Sequence, residues 1–213
     1  MYPWVTHTWN VIKGKCPHDC SYCYMKRYPQ PELHFDEKEL RTDLGYGNTI
    51  FVGSSCDMWC LDSIFGWITT ILAHCEGYNN RYLFQSKNPE RFHNNFCFPM
   101  NTILGTTIET NRPYIVSRAP GTMQRMEAMW RLDLPRTVTI EPIMDFDLDV
   151  IVDWIREIKP EFVSIGADSG NNHLPEPSGE KVDALIEALK EFTEAKIKDN
   201  LKRLTPTNKG GEG

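Results

Sequence analysis

No apolar run in this 213-residue chain approaches the roughly 20 residues that a helix needs to span a bilayer. The opening stretch, MYPWVTHTWN, lacks the charged and apolar regions of a secretory signal. The chain is therefore read as cytoplasmic, with no membrane partner. Basic charge is also scarce: 23 Lys and Arg stand against 29 Asp and Glu, a net charge of −6. Extended binding to duplex DNA needs several cationic contacts with phosphates, so that function is not favoured. The stretches RPYIVSR and KIKDNLKR are only modest exceptions, and the second reads equally well as a solvated helix face. An even cysteine count is missing too. Seven cysteines cannot all pair within one chain, which agrees with reduced thiols in a cytosol.

What is present is an alternation of short β-rich runs and helical patterns. Strands are expected at 8–13, 49–54, 81–87, 103–110, 137–143 and 162–168. Helices are expected at 61–75, 120–132, 147–159 and 179–198. Leu148, Ile151, Val152, Ile155 and Ile158 follow the i, i+3, i+4 rule, as do Val182, Leu185, Ile186 and Leu189. Strands alternating with helices imply right-handed βαβ units around a parallel sheet. The expected fold is α/β: a partial (β/α)6 TIM-like barrel with outer helices, forming a single domain over residues 1–204. A flat doubly wound sheet is the alternative. The last nine residues, TPTNKGGEG at 205–213, read as a disordered tail.

Period-2 alternation separates the two faces of each strand. Gln85, Lys87, Gly105, Thr107, Glu109, Thr139, Glu141, Ser164, Gly166 and Asp168 fall on the inner face. Bulky branched residues fill the interior of a closed eight-stranded barrel. A small, hydroxylated and charged lining instead suggests a solvated cavity that holds a ligand, with Gln85, Glu141 and Asp168 facing substrate.

The segment KGKCPHDCSYCYMKR places Cys16, Cys20 and Cys23 within eight residues, directly after the first strand. Loops at that edge carry the chemistry of parallel α/β folds. A structural zinc site takes four ligands. Cys16 with His18 or His34 could complete one around Cys20 and Cys23, but no second Cys-x2-Cys or His pair follows where a zinc ribbon needs it. Iron–sulfur clusters are usually held by four cysteines. Three would leave one iron of a 4Fe–4S cluster open to a small molecule.

Cys16-x3-Cys20-x-Tyr22-Cys23 resembles the signature of the radical S-adenosylmethionine (SAM) superfamily. Its ending, YCY, is similar to the spore photoproduct lyase branch. TWNVIKGKC, FVGSSCDMW, FQSKNPERF, TIEPIM and SIGADSG resemble the successive strand-end motifs of small radical SAM proteins from phages and bacteria. The resemblance implies a 4Fe–4S cluster on Cys16, Cys20 and Cys23 and SAM as second cofactor. It also implies an electron donor such as flavodoxin or ferredoxin, and hydrogen abstraction from a polar substrate such as a nucleobase, nucleotide or peptide. By position, Gly53, Ser54 and Ser55 would bind the methionine amino group, although the family's Gly-Gly-Glu type sequence is absent there. Glu109 and Asn111 would meet the ribose hydroxyls, and Lys87 or Arg118 the methionine carboxylate. Tyr22, Gly166 and Ala167 would lie near the adenine. Cys56 or Cys60 is the candidate hydrogen-atom donor, whereas Cys75 and Cys97 read as small buried hydrophobes. The rival functions are a structural zinc or cluster module without SAM chemistry, and a simple electron carrier.

Overall fold

The computed structural model describes residues 2–205, so all of the expected tail except Thr205 lies outside the described residues. β1 (His7–Trp9) leads into a loop that carries the cysteines and a small antiparallel pair, β2 (Ile12–Lys13) with β3 (His34–Phe35). There follow β4 (Thr49–Val52), α1 (Phe65–Glu76), β5 (Arg81–Ser86), β6 (Thr102–Thr107), α2 (Thr122–Trp130), β7 (Arg136–Ile140), α3 (Leu148–Ile158), β8 (Phe162–Ile165), α4 (Gly179–Lys190) and β9 (Glu194–Ile197). One parallel sheet runs β1-β4-β5-β6-β7-β8-β9, in chain order from edge to edge. It is a partial barrel with its helices outside, the expected class.

The outward residues of the strands build the main core. Ile50, Val52, Tyr82, Phe84, Leu104, Val138, Ile140, Val163 and Ile165 bury against Ile68, Ile71 and Leu72 of α1, the stripe of α3, and Val182, Leu185 and Leu189 of α4. Each such side chain contributes roughly 1.5–3 kcal/mol on leaving water. α4 starts on Ser178, whose hydroxyl accepts from the Lys181 amide at 3.3 Å. This is an N-cap that satisfies a helix-end donor.

The expected helix over 179–198 ends at Lys190, and residues 194–197 instead form a seventh strand pairing with β8. The apolar spacing runs on through Phe192 with no Pro or Gly to mark the break. Pairing with the otherwise open edge of β8 overrides that local pattern.

The N-terminal segment inserts aromatic rings into the floor of the barrel. Tyr2 and Val5 pack with Leu83, Ile103 and Phe162, and Trp4 and Phe51 join them. Tyr2 and Trp4 stack with centroids 5.3 Å apart. The barrel is thus apolar below and polar above.

Gly14 sits at the entry to the cysteine loop with φ +105°, and a Cβ there would lie 2.3 Å from the carbonyl oxygen of Glu32. The clash is with backbone and the conformation favours glycine. Gly14→Ala is expected to cost about 1–3 kcal/mol or more, read as a lower urea midpoint.

Candidate functional site: three cysteines at the mouth of a polar cavity

The loop after β1 is fixed by backbone bonds before any side chain is considered. The Asp19 amide donates to Cys16 at 3.2 Å, Cys23 to Cys20 at 3.2 Å, Ser21 to Val116 at 2.8 Å and Arg118 to His18 at 2.7 Å. Side chains then anchor it to the neighbouring strand ends. His18 Nε2 lies 2.8 Å from Asp57 Oδ2. The same oxygen accepts from Ser86 Oγ at 3.0 Å and the Lys87 amide at 2.8 Å, while Oδ1 accepts from the Trp59 amide at 2.9 Å. Asp57 thereby joins the cysteine loop, the loop after β4 and the end of β5. Burial alone would raise its pKa, but the hydrogen bond and charge of His18 and the amides outweigh that and hold it low. Burial likewise opposes charge on His18, yet Asp57 raises its pKa overall.

Cys16, Cys20 and Cys23 line one small cavity of about 150 Å³, together with Gly53, Ser54, Ser55 and Cys56. Asn10 Oδ1 accepts from the Ser55 amide at 2.9 Å and from Ser54 Oγ at 3.3 Å, which sets the β4 loop against the cysteines. The neighbouring Cys56 thiol lowers the pKa of Cys16, against the opposing effect of burial. That contact and burial together push Cys56 up, and burial raises Cys20. All seven cysteines are free thiols. Among the described residues no three His, Cys, Asp or Glu groups converge on one metal ion. Three cysteines line the same cavity. That donor set fits a compact polynuclear cluster better than a single zinc ligated at about 2.0–2.3 Å.

The small cavity adjoins a larger one of about 640 Å³ and shares Cys20, Cys23, Ser54, Gln85, Lys87 and Thr107 with it. This volume suits a small-molecule site. Its walls include Tyr22, Tyr24, Arg27, Glu141, Ala167, Asp168 and Lys198. At its floor Tyr2 Oη donates to Gln85 Oε1 at 2.8 Å, and Gln85 Nε2 donates to Thr107 Oγ1 at 3.1 Å. Lys198, from the end of β9, pairs with Glu141 and sits 4.5 Å above the Tyr2 ring.

Several expected site residues therefore meet at the cavities: Tyr22, Ser54, Lys87, Gln85, Glu141, Ala167 and Asp168, with Gly53 and Ser55 beside the cysteines. Glu109 does not open onto either. It is 1% exposed, with Oε1 2.5 Å from Lys87 Nζ, Oε2 2.9 Å from Arg125 Nη1, and a hydrogen bond from Tyr22 Oη. Burial would raise its pKa, but Lys87 and Arg125 outweigh that and lower it to about 2. Its carboxylate is already occupied, so the expected ribose contact is corrected to an internal ionic anchor. Asn111 is also displaced: its amide group exchanges hydrogen bonds with Asp147, at 3.2 Å from Nδ2 to Oδ2 and 2.8 Å from the Asp147 amide. The Arg118 side chain is 79% exposed with its guanidinium 3.8 Å from Asp19, outside both cavities, while its amide donates to His18. Gly166 is not on the cavity wall. A Cβ there would meet Glu141 Oε1 at 2.7 Å, so its missing side chain makes room for that carboxylate. Asp168 spends its oxygens on the Gly170 and Asn172 amides, at 2.9 and 2.5 Å, shaping its own turn. Cys60 bonds Ser63 at 3.2 Å, and Cys75 is buried in α1 as expected. Cys97 is exposed, contrary to the reading as a buried hydrophobe.

Sequence reasoning missed Tyr2, Arg125 and Lys198. Arg125 did carry a signal, since it lies on the buried stripe of α2 with Ala128 and Met129.

No family model and no curated protein matches the chain. Solved structures do. A spore photoproduct lyase variant with bound AdoMet and dinucleoside spore photoproduct aligns with TM-score 0.68 at 10% identity, covering 92% of this chain and 77% of that one. A second variant gives 0.68 at 11% identity, over 92% and 77%. The lyase complexed with dinucleoside spore photoproduct gives 0.64 at 10%, over 87% and 74%. The chain shares the fold of spore photoproduct lyase. That lyase is a radical SAM enzyme with a TIM-like barrel. No helix among the described residues is long and apolar enough to cross a membrane.

Proposed function

We propose that this protein is a cytoplasmic radical SAM enzyme acting on a polar substrate. The observation that carries the reading is the joint lining of one small cavity by Cys16, Cys20 and Cys23 at the mouth of a polar barrel interior. The likeness to a lyase seen with AdoMet bound supports it.

Cys16, Cys20 and Cys23 would hold a 4Fe–4S cluster. When bound, that cofactor supplies an electron that cleaves SAM to methionine and a 5′-deoxyadenosyl radical, which abstracts hydrogen from substrate. Gly53, Ser54 and Ser55, fixed by Asn10, offer backbone and hydroxyl groups to the methionine amino group. Lys87 lines both cavities, and its ammonium, held by Glu109 at 2.5 Å and Tyr22 at 2.7 Å, would turn its remaining N–H to the methionine carboxylate. Tyr22 and Ala167 flank the space left for adenine. Gln85, Glu141 and Asp168, with Lys198, line the space beyond for a substrate rich in hydrogen-bonding groups, such as a nucleobase, nucleotide or peptide. The apolar floor under Tyr2 closes the bottom to water. A small flavodoxin- or ferredoxin-type protein is the proposed electron donor.

Anaerobic reconstitution with iron and sulfide, followed by SAM and dithionite, tests this directly. Wild-type protein is expected to release 5′-deoxyadenosine, and the variant with Cys16, Cys20 and Cys23 all changed to Ala is expected to release none. One retained zinc per chain, with no cluster absorbance and no 5′-deoxyadenosine, would instead establish a structural metal module.

A further inference from the structure

Cys56 is not needed by the three-cysteine reading, yet the fold places it with the three. It is buried and lines the same 150 Å³ cavity as Cys16, Cys20 and Cys23. Both flanking residues are pinned: the Ser55 amide to Asn10 at 2.9 Å, and Asp57 to His18 at 2.8 Å. Neither flank can drift, so Cys56 is held over the cavity with only its side-chain rotation free. Neither Cys60 nor Cys75 reaches this cavity, and both are satisfied elsewhere as a thiol on Ser63 and a packed helix residue.

The geometry points to Cys56 as a fourth, displaceable thiolate ligand that occupies the open iron of the cluster until SAM arrives. This rests on the radical SAM reading of the same site. Four cysteines are the usual complement of a 4Fe–4S cluster, and here the fourth comes from the loop that carries the seat for the methionine amino group. Binding there and ligation by Cys56 compete for one iron. On exchange Cys56 leaves as its thiolate and takes up the proton that SAM's ammonium group sheds on becoming a ligand; no electron moves.

The protein reconstituted anaerobically is the material for the test, with SAM itself as the probe. Mössbauer spectra of the wild type without SAM are expected to show no distinct iron site, and one is expected to emerge when SAM is added. Cys56→Ala should show the distinct site before SAM is added, with iron and sulfide per chain unchanged. Its SAM affinity should tighten about tenfold if the thiolate is displaced in about one molecule in ten, since apparent affinity scales with the competent fraction. Cys60→Ala should match the wild type in both. A wild-type spectrum with a distinct iron before SAM would overturn the proposal even if Cys56→Ala failed to fold. That result, together with release of 5′-deoxyadenosine, would leave the enzyme reading intact. A wild type that assembles no cluster would overturn both.

Discussion

Glu109→Gln is expected to destabilise the protein by roughly 3–5 kcal/mol, the usual cost of removing one partner from a buried charge cluster. The native carboxylate is enclosed by Lys87 at 2.5 Å, Arg125 at 2.9 Å and Tyr22, with almost no access to water. Gln fills the same space but leaves two cations without a counter-charge and turns an amide NH2 toward at least one of them. The fall should appear as a lower urea midpoint with an unchanged slope. Arg125→Met combined with Glu109→Gln should cost less than the sum of the two single changes, because their effects share one interaction. Additive losses would show that the two side chains are independent despite their contact.

The same carboxylate predicts an acid limb. Its pKa falls from 4.5 in a free chain to about 2 in the fold. Its contribution is therefore fully present above pH 4.5 and is lost as pH falls toward 2. The difference corresponds to about 3 kcal/mol, in line with the cost expected for the substitution. In the Gln variant this part of the acid limb should flatten.

That cluster marks where reading the sequence reached its limit. Strand alternation correctly set Glu109 on the inner face of the barrel, together with Lys87, Thr107 and Thr139. Inner face and accessible cavity are different things, however. Whether a carboxylate is free depends on what arrives from other elements, and here Arg125 reaches in from α2. The main core was legible because it follows period: the outward residues of the strands and the stripes of α3 and α4 appear as expected. β9 was not, since its charged, edge-forming sequence continues a helical pattern and becomes a strand only by pairing with β8. Lys198 became a cavity residue through that same tertiary event. Tyr2 and Trp4 carry no periodic signal; they matter because an incomplete barrel leaves its floor for other residues to fill. The cysteine loop was the most legible part, as local spacing alone brings its thiols together.

Asp57→Asn is expected to have the second large effect, and its readout differs from that of Glu109→Gln. Asp57 accepts from His18, Ser86 and the Lys87 amide at Oδ2 and from the Trp59 amide of its own loop at Oδ1. Asn keeps the shape but replaces one acceptor oxygen with a donor. If Oδ1 keeps the Trp59 amide, an NH2 group faces the Lys87 amide and Ser86 Oγ, and His18 loses its charged partner. Each unsatisfied buried donor costs roughly 1–3 kcal/mol, and a bond to a charged group lies at the upper end. A total of about 3–5 kcal/mol follows if two of these contacts are lost. The loss falls on a buried joint that ties the cysteine loop to the ends of β4 and β5. Cluster content after reconstitution should therefore drop severalfold in protein that remains folded by circular dichroism, while Glu109→Gln loses stability without a matching loss of iron. Should Asp57→Asn keep full iron and sulfide per chain, the joint is structural only, and the backbone bonds from Asp19, Ser21, Cys23 and Arg118 suffice to hold the three thiols in place.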